Sequence, residues 1–278
     1  MAIRVVKLNE DSSWMWESDS LSILVDPWFT VSQIDLAPWF SEQFHLNPQP
    51  LISEIKKPHY IFISHPFTDH CNKETLLQFD PTIPIIAETN TLTKLKRWNY
   101  FKNLININDF EKVKIERINK KSLFDLVHNA FLISFENKRI VYAPHGFKSL
   151  NKQITADVLI TSCSTYHLPW YLGGTINLGI NKALSMAELL STSIILSTHD
   201  EQKIGKGIVE KIAKKIPIQE NKKILTIQLT DAEKTAIESV LVKANKIKGN
   251  CGDEYRKPPF LTASGDLSHH IKEFPKPY

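Results

Sequence analysis

A short polar run between an apolar strand and a helix constrains the fold of this chain more than any other feature. The run Ser64-His-Pro-Phe-Thr-Asp-His70 directly follows the apolar residues 60–63, and Asn72 can cap a helix over residues 73–79. Loops at one edge of a sheet can aim their side chains at one point, and imidazole and carboxylate groups are good ligands for zinc, manganese and iron. The run therefore predicts a metal site, with His65, Asp69 and His70 as candidate ligands.

Strand and helix patterns on both sides of this run predict an α/β fold. Alternating apolar residues predict a hairpin of strands over residues 3–8 and 21–25, and Asp26-Pro27-Trp28 ends its second strand because proline interrupts the ladder. A long irregular connection is expected from there to residue 58. Further strands are expected over residues 84–87, 113–118, 132–135, 139–142, 158–160 and 194–196, and helices over residues 91–98, 182–190 and 207–215. The pattern indicates sheets covered by helices, as a four-layered sandwich or a mixed open sheet.

The pattern weakens towards the end of the chain. A strand is expected over residues 224–229 and a helix over residues 231–246, before a segment that contains Gly252, Pro258, Pro259 and Pro275. Because proline ends regular structure, we predict one domain over residues 1–247 and an appended tail over residues 248–278.

Charge and cysteine content narrow the class of protein. The 34 Lys and Arg residues are scattered and nearly balanced by 30 Asp and Glu residues, which argues against nucleic-acid binding. The three cysteines form no C-x-x-C pair, which argues against a disulfide framework and a cysteine zinc finger. No apolar stretch reaches the ~18 residues of a membrane span, and no signal-like segment opens the chain. These features predict a cytoplasmic protein.

The polar run resembles the metallo-β-lactamase superfamily, whose motif in this place is H-x-H-x-D-H. Three residues of the run match that motif, and Phe67 stands where the second histidine is expected. Other landmarks follow in family order over residues 3–213. They are Asp26-Pro27-Trp28, as in the lactonase-like and phospholipase-like branch, then His128, Pro144-His145-Gly146 and His199. The resemblance implies a four-layered αββα sandwich.

The resemblance also implies how metal would be held. In the family, one metal is bound by the first two motif histidines and a later one, which leaves His65 and His128 without the partner that Phe67 replaces. A second metal is bound by residues that correspond to Asp69, His70 and His199. His145 stands near the place of the aspartate that bridges both metals. We therefore expect one divalent metal at the second position, zinc first and manganese or iron as alternatives, with His145 as a further ligand.

The resemblance implies that the activity is hydrolysis. A bound metal would supply the nucleophile, because it lowers the pKa of bound water towards ~7. The first hypothesis is a metal-dependent hydrolase that acts on a small-molecule substrate, namely an ester, lactone or phosphoester, through a metal-bound hydroxide. Asp69 would orient the water or hold the metal, and His65 or His145 would assist proton transfer. The second hypothesis is a non-catalytic member that binds a ligand or partner, with Phe67 filling the place of the lost ligand. A third, oxygen chemistry through iron, would need a partner domain that supplies electrons.

Residues 166–179 combine aromatic side chains, two adjacent glycines and an asparagine, and they are a candidate substrate wall. The polar contacts expected there are Tyr166, His167 and Asn177. The alternative is that Trp170 and Tyr171 pack internally while the two glycines form a turn.

Several other polar residues have two interpretations or a structural one. Asp26 either orients a ligating imidazole or forms a turn before proline, and Cys71 is either a soft ligand or a buried apolar residue. The histidines expected to be structural are His45, His59, His269 and His270.

Overall fold

The computed structural model describes residues 3–120, 125–201 and 203–217. The predicted domain boundary at residue 247, the tail, the strand over residues 224–229 and the helix over residues 231–246 lie outside this part of the chain. Within the described residues, no helix combines the length and the apolar character that crossing a membrane requires.

Strands dominate the described chain, and its helices are short. The strands of the first half are β1 (Arg4–Lys7), β2 (Trp14–Glu17), β3 (Ser22–Val25), β4 (Ser32–Asp35), β5 (Ser41–Phe44), β6 (Tyr60–Ile63), β7 (Ile85–Ala87) and β8 (Leu104–Asn106). Those of the second half are β9 (Lys114–Arg117), β10 (Phe131–Phe135), β11 (Lys138–Ala143), β12 (Val158–Thr161), β13 (Thr165–His167), β14 (Thr175–Leu178), β15 (Ile195–Ser197), β16 (Ile204–Lys206) and β17 (Lys214–Ile216). The helices are α1 (Lys73–Leu76), α2 (Thr89–Lys96), α3 (Ile180–Leu189) and α4 (Ile208–Ile212).

Two large sheets form the framework of the fold. The first has the strand order β1-β2-β3-β6-β7-β8, and the second has the order β15-β12-β11-β10-β9. Alternate side chains of each sheet meet in a shared core, where Phe62 from β6 and Tyr142 from β11 are both fully buried. Because successive side chains of a strand point to opposite faces, the neighbours of these residues point away from the shared core. Each sheet therefore has an outer face that must also be covered.

Helices cover both outer faces. Leu76 of α1 and Leu92 of α2 pack with Ile63 on the outside of the first sheet, and Met186 of α3 packs with Val141 on the outside of the second. Two sheets between two helical layers make a four-layered αββα sandwich, so the predicted fold class is confirmed and the open-sheet alternative is wrong.

The structure corrects the predicted hairpin at the start of the chain. β2 lies between β1 and β3 and is antiparallel to both. Trp14 and Trp16 anchor this strand with no exposed surface. The sequence pattern misses the strand because all four of its residues are buried, so it lacks alternation. The hairpin predicted over residues 132–135 and 139–142 is confirmed by the pairing of β10 with β11.

Two small sheets replace segments that were predicted as connection or helix. β4 and β5 lie within the expected irregular connection and pair with each other, and β5 also pairs with β16. The helix predicted over residues 207–215 is shorter in the structure, where it forms α4 (Ile208–Ile212). The chain then continues as β17, which pairs with β13. The physical reason is that β17 gains hydrogen bonds from a strand about fifty residues earlier in the chain, and local periodicity carries no information about such a partner.

Candidate metal centre

The ends of the parallel strands bring the polar residues of the predicted site to one edge of the sandwich. In the first sheet β3 and β6 run parallel, and the residues after them are Asp26 and the polar run that starts at Ser64. In the second sheet β11, β12 and β15 run parallel, and His145 and His199 come soon after the first and the last of them. Carboxyl ends of parallel strands share an edge, which explains why these distant residues meet.

Four side chains meet closely enough to hold one ion. One ligand atom from each of Asp69, His70, His145 and His199 lies within 4.8 Å of the others. Nε2 of His70 is 2.9 Å from Nε2 of His145, and Nε2 of His199 is 3.2 Å from Oδ2 of Asp69. The three histidines are buried, whereas Asp69 is partly exposed. The open side of the cluster is therefore at Asp69.

The Nδ1 atom of each of the three imidazoles contacts an oxygen atom. Nδ1 of His70 contacts Oδ2 of Asp26 at 2.8 Å, and Nδ1 of His199 contacts Oδ1 of Asp11 at 2.6 Å. Nδ1 of His145 contacts Oδ1 of Asn177 at 2.8 Å. The amide of Asn177 is oriented by its Nδ2, which donates to the carbonyl oxygen of His199 at 3.2 Å.

These contacts determine whether the Nε2 atoms can bind a metal ion. A carboxylate or an amide oxygen accepts only, so each Nδ1 must carry the proton and each Nε2 of a neutral ring has a free lone pair. Two such lone pairs facing each other at 2.9 Å repel unless a cation or a proton lies between them. The donor set therefore fits a divalent metal bound by imidazole nitrogen and carboxylate oxygen.

The charges in the cluster depend on burial and on close neighbours. Burial, with the charges of His199 and His70, holds the pKa of His145 well below its usual range. Burial opposes ionisation of Asp69, but His70 and His199 outweigh it and keep the pKa of Asp69 well below its ordinary value. Burial also disfavours the cationic ring of His199, yet the carboxylate of Asp11 raises its pKa to about 9. Metal binding must therefore displace a proton from His199.

Asp26 combines both of its sequence interpretations. Its backbone adopts a φ of 43° at the turn after β3. Its buried carboxylate accepts hydrogen bonds from the backbone N–H of Ser64 at 2.7 Å and the hydroxyl of Tyr142 at 2.8 Å, besides its contact with His70. Asp26 thus forms a turn and also orients a histidine of the cluster.

His65 and His128 are not brought into the four-residue cluster. Nε2 of His65 lies 2.7 Å from the carbonyl oxygen of Val127, and since a carbonyl only accepts, this nitrogen carries a proton and has no lone pair to offer. Nδ1 of His128 contacts Oδ1 of Asp125 at 2.7 Å. His65 does fall in a second close group with Asp26 and His70. Hydrogen bonds through Asp26 and Ser64 already join that group.

The three residues expected at a substrate wall have different surroundings. The hydroxyl of Tyr166 is buried and has no hydrogen-bond partner among the described residues. Burial, followed by the carboxylates of Glu210, Asp35 and Asp69, raises its pKa. His167 is exposed, and its Nδ1 lies 2.9 Å from Oγ1 of Thr175. Asn177 is buried behind His145 instead of facing solvent, which differs from the position expected of a substrate contact.

The structure also describes the surroundings of most of the other residues singled out in the sequence. Trp170 and Tyr171 are 86% and 64% exposed, so the alternative that they pack internally is wrong. His45 is buried against Glu201. Cys71 is buried in the apolar cluster outside the first sheet and belongs to neither close group of potential ligands among the described residues. His59 contacts Ser22, and His269 and His270 lie outside the described chain. Sequence reasoning missed Asp11, because it lies in a polar turn that shows no functional pattern.

Comparisons with known proteins agree with this architecture. The family model of the β-lactamase superfamily domain matches residues 6–199. An isothiocyanate hydrolase from Delia radicum gut bacteria has a similar structure at a TM-score of 0.54 and 14% identity, covering 89% of this chain and 94% of that one. Igni18, a metallo hydrolase from the archaeon Ignicoccus hospitalis, has a TM-score of 0.50 at 15% identity, covering 72% and 83%.

A third solved structure belongs to a different class of enzyme. CmlA, a diiron β-hydroxylase from Streptomyces venezuelae, has a TM-score of 0.52 at 12% identity, covering 89% of this chain and 52% of that one. No curated protein sequence matches the chain. At such low identities the structural likenesses show the fold alone, while the family model spans most of the chain. The chain therefore belongs to the metallo-β-lactamase superfamily.

Proposed function

We propose that this chain is a metal-dependent hydrolase that acts on an ester, lactone or phosphoester. The observation that carries the proposal is the meeting of three imidazole Nε2 atoms and one carboxylate oxygen, with each Nδ1 held by an oxygen acceptor. Imidazole nitrogens beside a carboxylate suit zinc, with manganese or iron as alternatives. When bound, such an ion supplies activation of water near neutral pH.

We assign different roles to the four clustered residues. His70, His145 and His199 are buried, and their rings would hold the ion. Asp69 lies at the open side with a side chain that is 17% exposed, and we assign it to orient the attacking water as a hydrogen-bond acceptor. Three protein ligands would leave an ion held here open to water, as in catalytic zinc sites.

Tyr166 is our candidate for contact with the substrate. Its buried hydroxyl has no hydrogen-bond partner among the described residues. A substrate oxygen could accept a hydrogen bond from this hydroxyl.

A second candidate function has its own observation. Phe67 occupies a ligand position of the family motif and stacks near His65, with ring centroids 6.0 Å apart, and His65 is turned to a backbone carbonyl. A site with these losses suits a non-catalytic member that binds a ligand or partner at the same edge. That protein would be stably folded and would contain less than one metal ion per chain.

Metal content decides between the two functions. We would measure zinc, manganese and iron per chain in untagged protein, beside a His70→Ala, His199→Ala double variant and a control His167→Ala variant at an exposed histidine. About one ion in the parent and in the control, with none in the double variant, supports the hydrolase and justifies assays with esters, lactones and phosphodiesters. Absence of metal from all three folded proteins would refute the hydrolase.

A further inference from the structure

The turn between β1 and β2 holds one histidine of the cluster at two points. Asp11 lies in this turn, is fully buried, and contacts Nδ1 of His199 at 2.6 Å. Its backbone carbonyl oxygen accepts from the backbone N–H of His199 at 2.9 Å and from the hydroxyl of Thr198 at 3.0 Å. Both the ring and the backbone of His199 are therefore fixed by one residue that is 188 positions earlier.

The same turn also reaches Asp69. Oγ of Ser12 donates to the carbonyl oxygen of Asp69 at 3.2 Å. Asn9 stabilises the turn, because its Oδ1 accepts from the backbone N–H groups of Asp11 and Ser13 at 3.1 Å each. The turn thus supports two of the four clustered residues from outside the cluster.

A buried lysine compensates the charge of Asp11. Nζ of Lys203 lies 2.8 Å from Oδ1 of Asp11, and only 8% of the lysine side chain is exposed. The same ammonium group lies 4.7 Å from the centroid of the fully buried Trp28 ring. A buried charge is costly unless it is paired, so the position of Lys203 depends on Asp11. Because its ammonium is engaged there, Lys203 is poorly placed to bind a substrate anion.

Asp26 and Asp11 therefore each orient one histidine of the cluster, but different groups surround the two carboxylates. Asp26 holds His70 with neutral donors around it, namely the Ser64 backbone N–H and the Tyr142 hydroxyl. Asp11 holds His199 with a cation beside it.

We propose that Asp11 and Lys203 are positioning residues of the metal centre, with Asp11 directing Nε2 of His199 to the ion and Lys203 holding Asp11 in place. The inference rests on the proposed metal centre and adds to it two residues that would not touch the ion. Removing either residue loosens His199 while the four clustered side chains stay present. Partners of this kind typically change metal affinity by ~10–100-fold.

The test uses zinc affinity and the visible spectrum of the cobalt-substituted protein. We would compare the parent with Asp11→Ala, Lys203→Met, Lys203→Arg and a control Lys182→Met at an exposed lysine of α3. Competition with a chelator should show zinc bound ~10–100-fold more weakly by Asp11→Ala. Lys203→Met should also bind zinc more weakly, Lys203→Arg should recover part of the loss, and the cobalt spectrum of Asp11→Ala should shift. The control should match the parent.

The outcomes separate this inference from the metal centre itself. A parent that binds no metal overturns both. A parent that binds one zinc, with Asp11→Ala and Lys203→Met folded and within twofold of its affinity, overturns only the inference. Should Asp11→Ala fail to fold, Lys203→Met decides alone: parent-like zinc affinity and cobalt spectrum would overturn the proposal, and a weaker site with a shifted spectrum would support it.

Discussion

Truncation of Asn177 to alanine should weaken metal binding more than substrate binding. In the structure its Oδ1 accepts from Nδ1 of His145 at 2.8 Å, and its Nδ2 donates to the carbonyl oxygen of His199 at 3.2 Å. Alanine removes both contacts, so the ring of His145 can rotate and its N–H is left buried without an acceptor. Sequence analysis expected Asn177 to touch substrate, so this variant separates two explicit roles.

The expected magnitude follows from the two lost contacts. Loss of a partner that orients a ligating histidine weakens metal binding by ~10–100-fold, or about 1.4–2.7 kcal/mol. Leaving a buried N–H without an acceptor costs about 1–3 kcal/mol in the free energy of unfolding. Asn177→Asp keeps an acceptor for His145 and loses the donor to His199, so it should lose less metal affinity than Asn177→Ala.

The assay is chelator competition for zinc, combined with KM on whichever ester, lactone or phosphoester proves to be a substrate. His167→Ala is the matched control, because His167 lies on the neighbouring strand of the same small sheet and is exposed. It should leave zinc affinity unchanged. If Asn177→Ala raised KM while zinc affinity stayed within twofold of the parent, Asn177 would be a substrate contact and our assignment would be refuted.

Three further predictions concern stability, pH and the missing ligand. Tyr142→Phe removes the hydroxyl that donates to Asp26 at 2.8 Å, and should lower the free energy of unfolding by about 1.5–3 kcal/mol in denaturant titrations; a loss below 0.5 kcal/mol would contradict it. Burial lowers the pKa of Lys7 from 10.5 to about 8. Between these two pH values the unfolded chain binds more protons than the folded chain, so the free energy of unfolding should rise with pH. Compared with Lys7→Met, the parent should gain on the order of 2 kcal/mol from pH 8 to pH 10. Denaturant titrations at both pH values measure this, and a difference that stays flat or falls would count against it. Phe67→His should leave metal content near one ion per chain by elemental analysis, because His65 is turned to a backbone carbonyl; two ions would show that the second site can still form.

The sequence predicted the fold class, through the family that its motif resembles, and the loop on which the candidate ligands lie. An apolar strand, a run with two histidines and an aspartate, and a cappable helix indicate a strand end with candidate ligands, and Asn72 does cap α1 by accepting from the backbone N–H of Thr75. The later landmarks His145 and His199 follow β11 and β15 in the expected order. These features are local, so they can be recognised without knowledge of what they contact.

Tertiary structure decided which groups face the centre and what holds them there. Whether an imidazole offers a lone pair depends on the partner of its other nitrogen. Those partners are Asp26, Asn177 and Asp11, which lie 44, 32 and 188 positions from their histidines. The same dependence turned His65 to the carbonyl of Val127. Contacts across such distances arise only when the sheets pack, because local pattern contains no record of a remote partner.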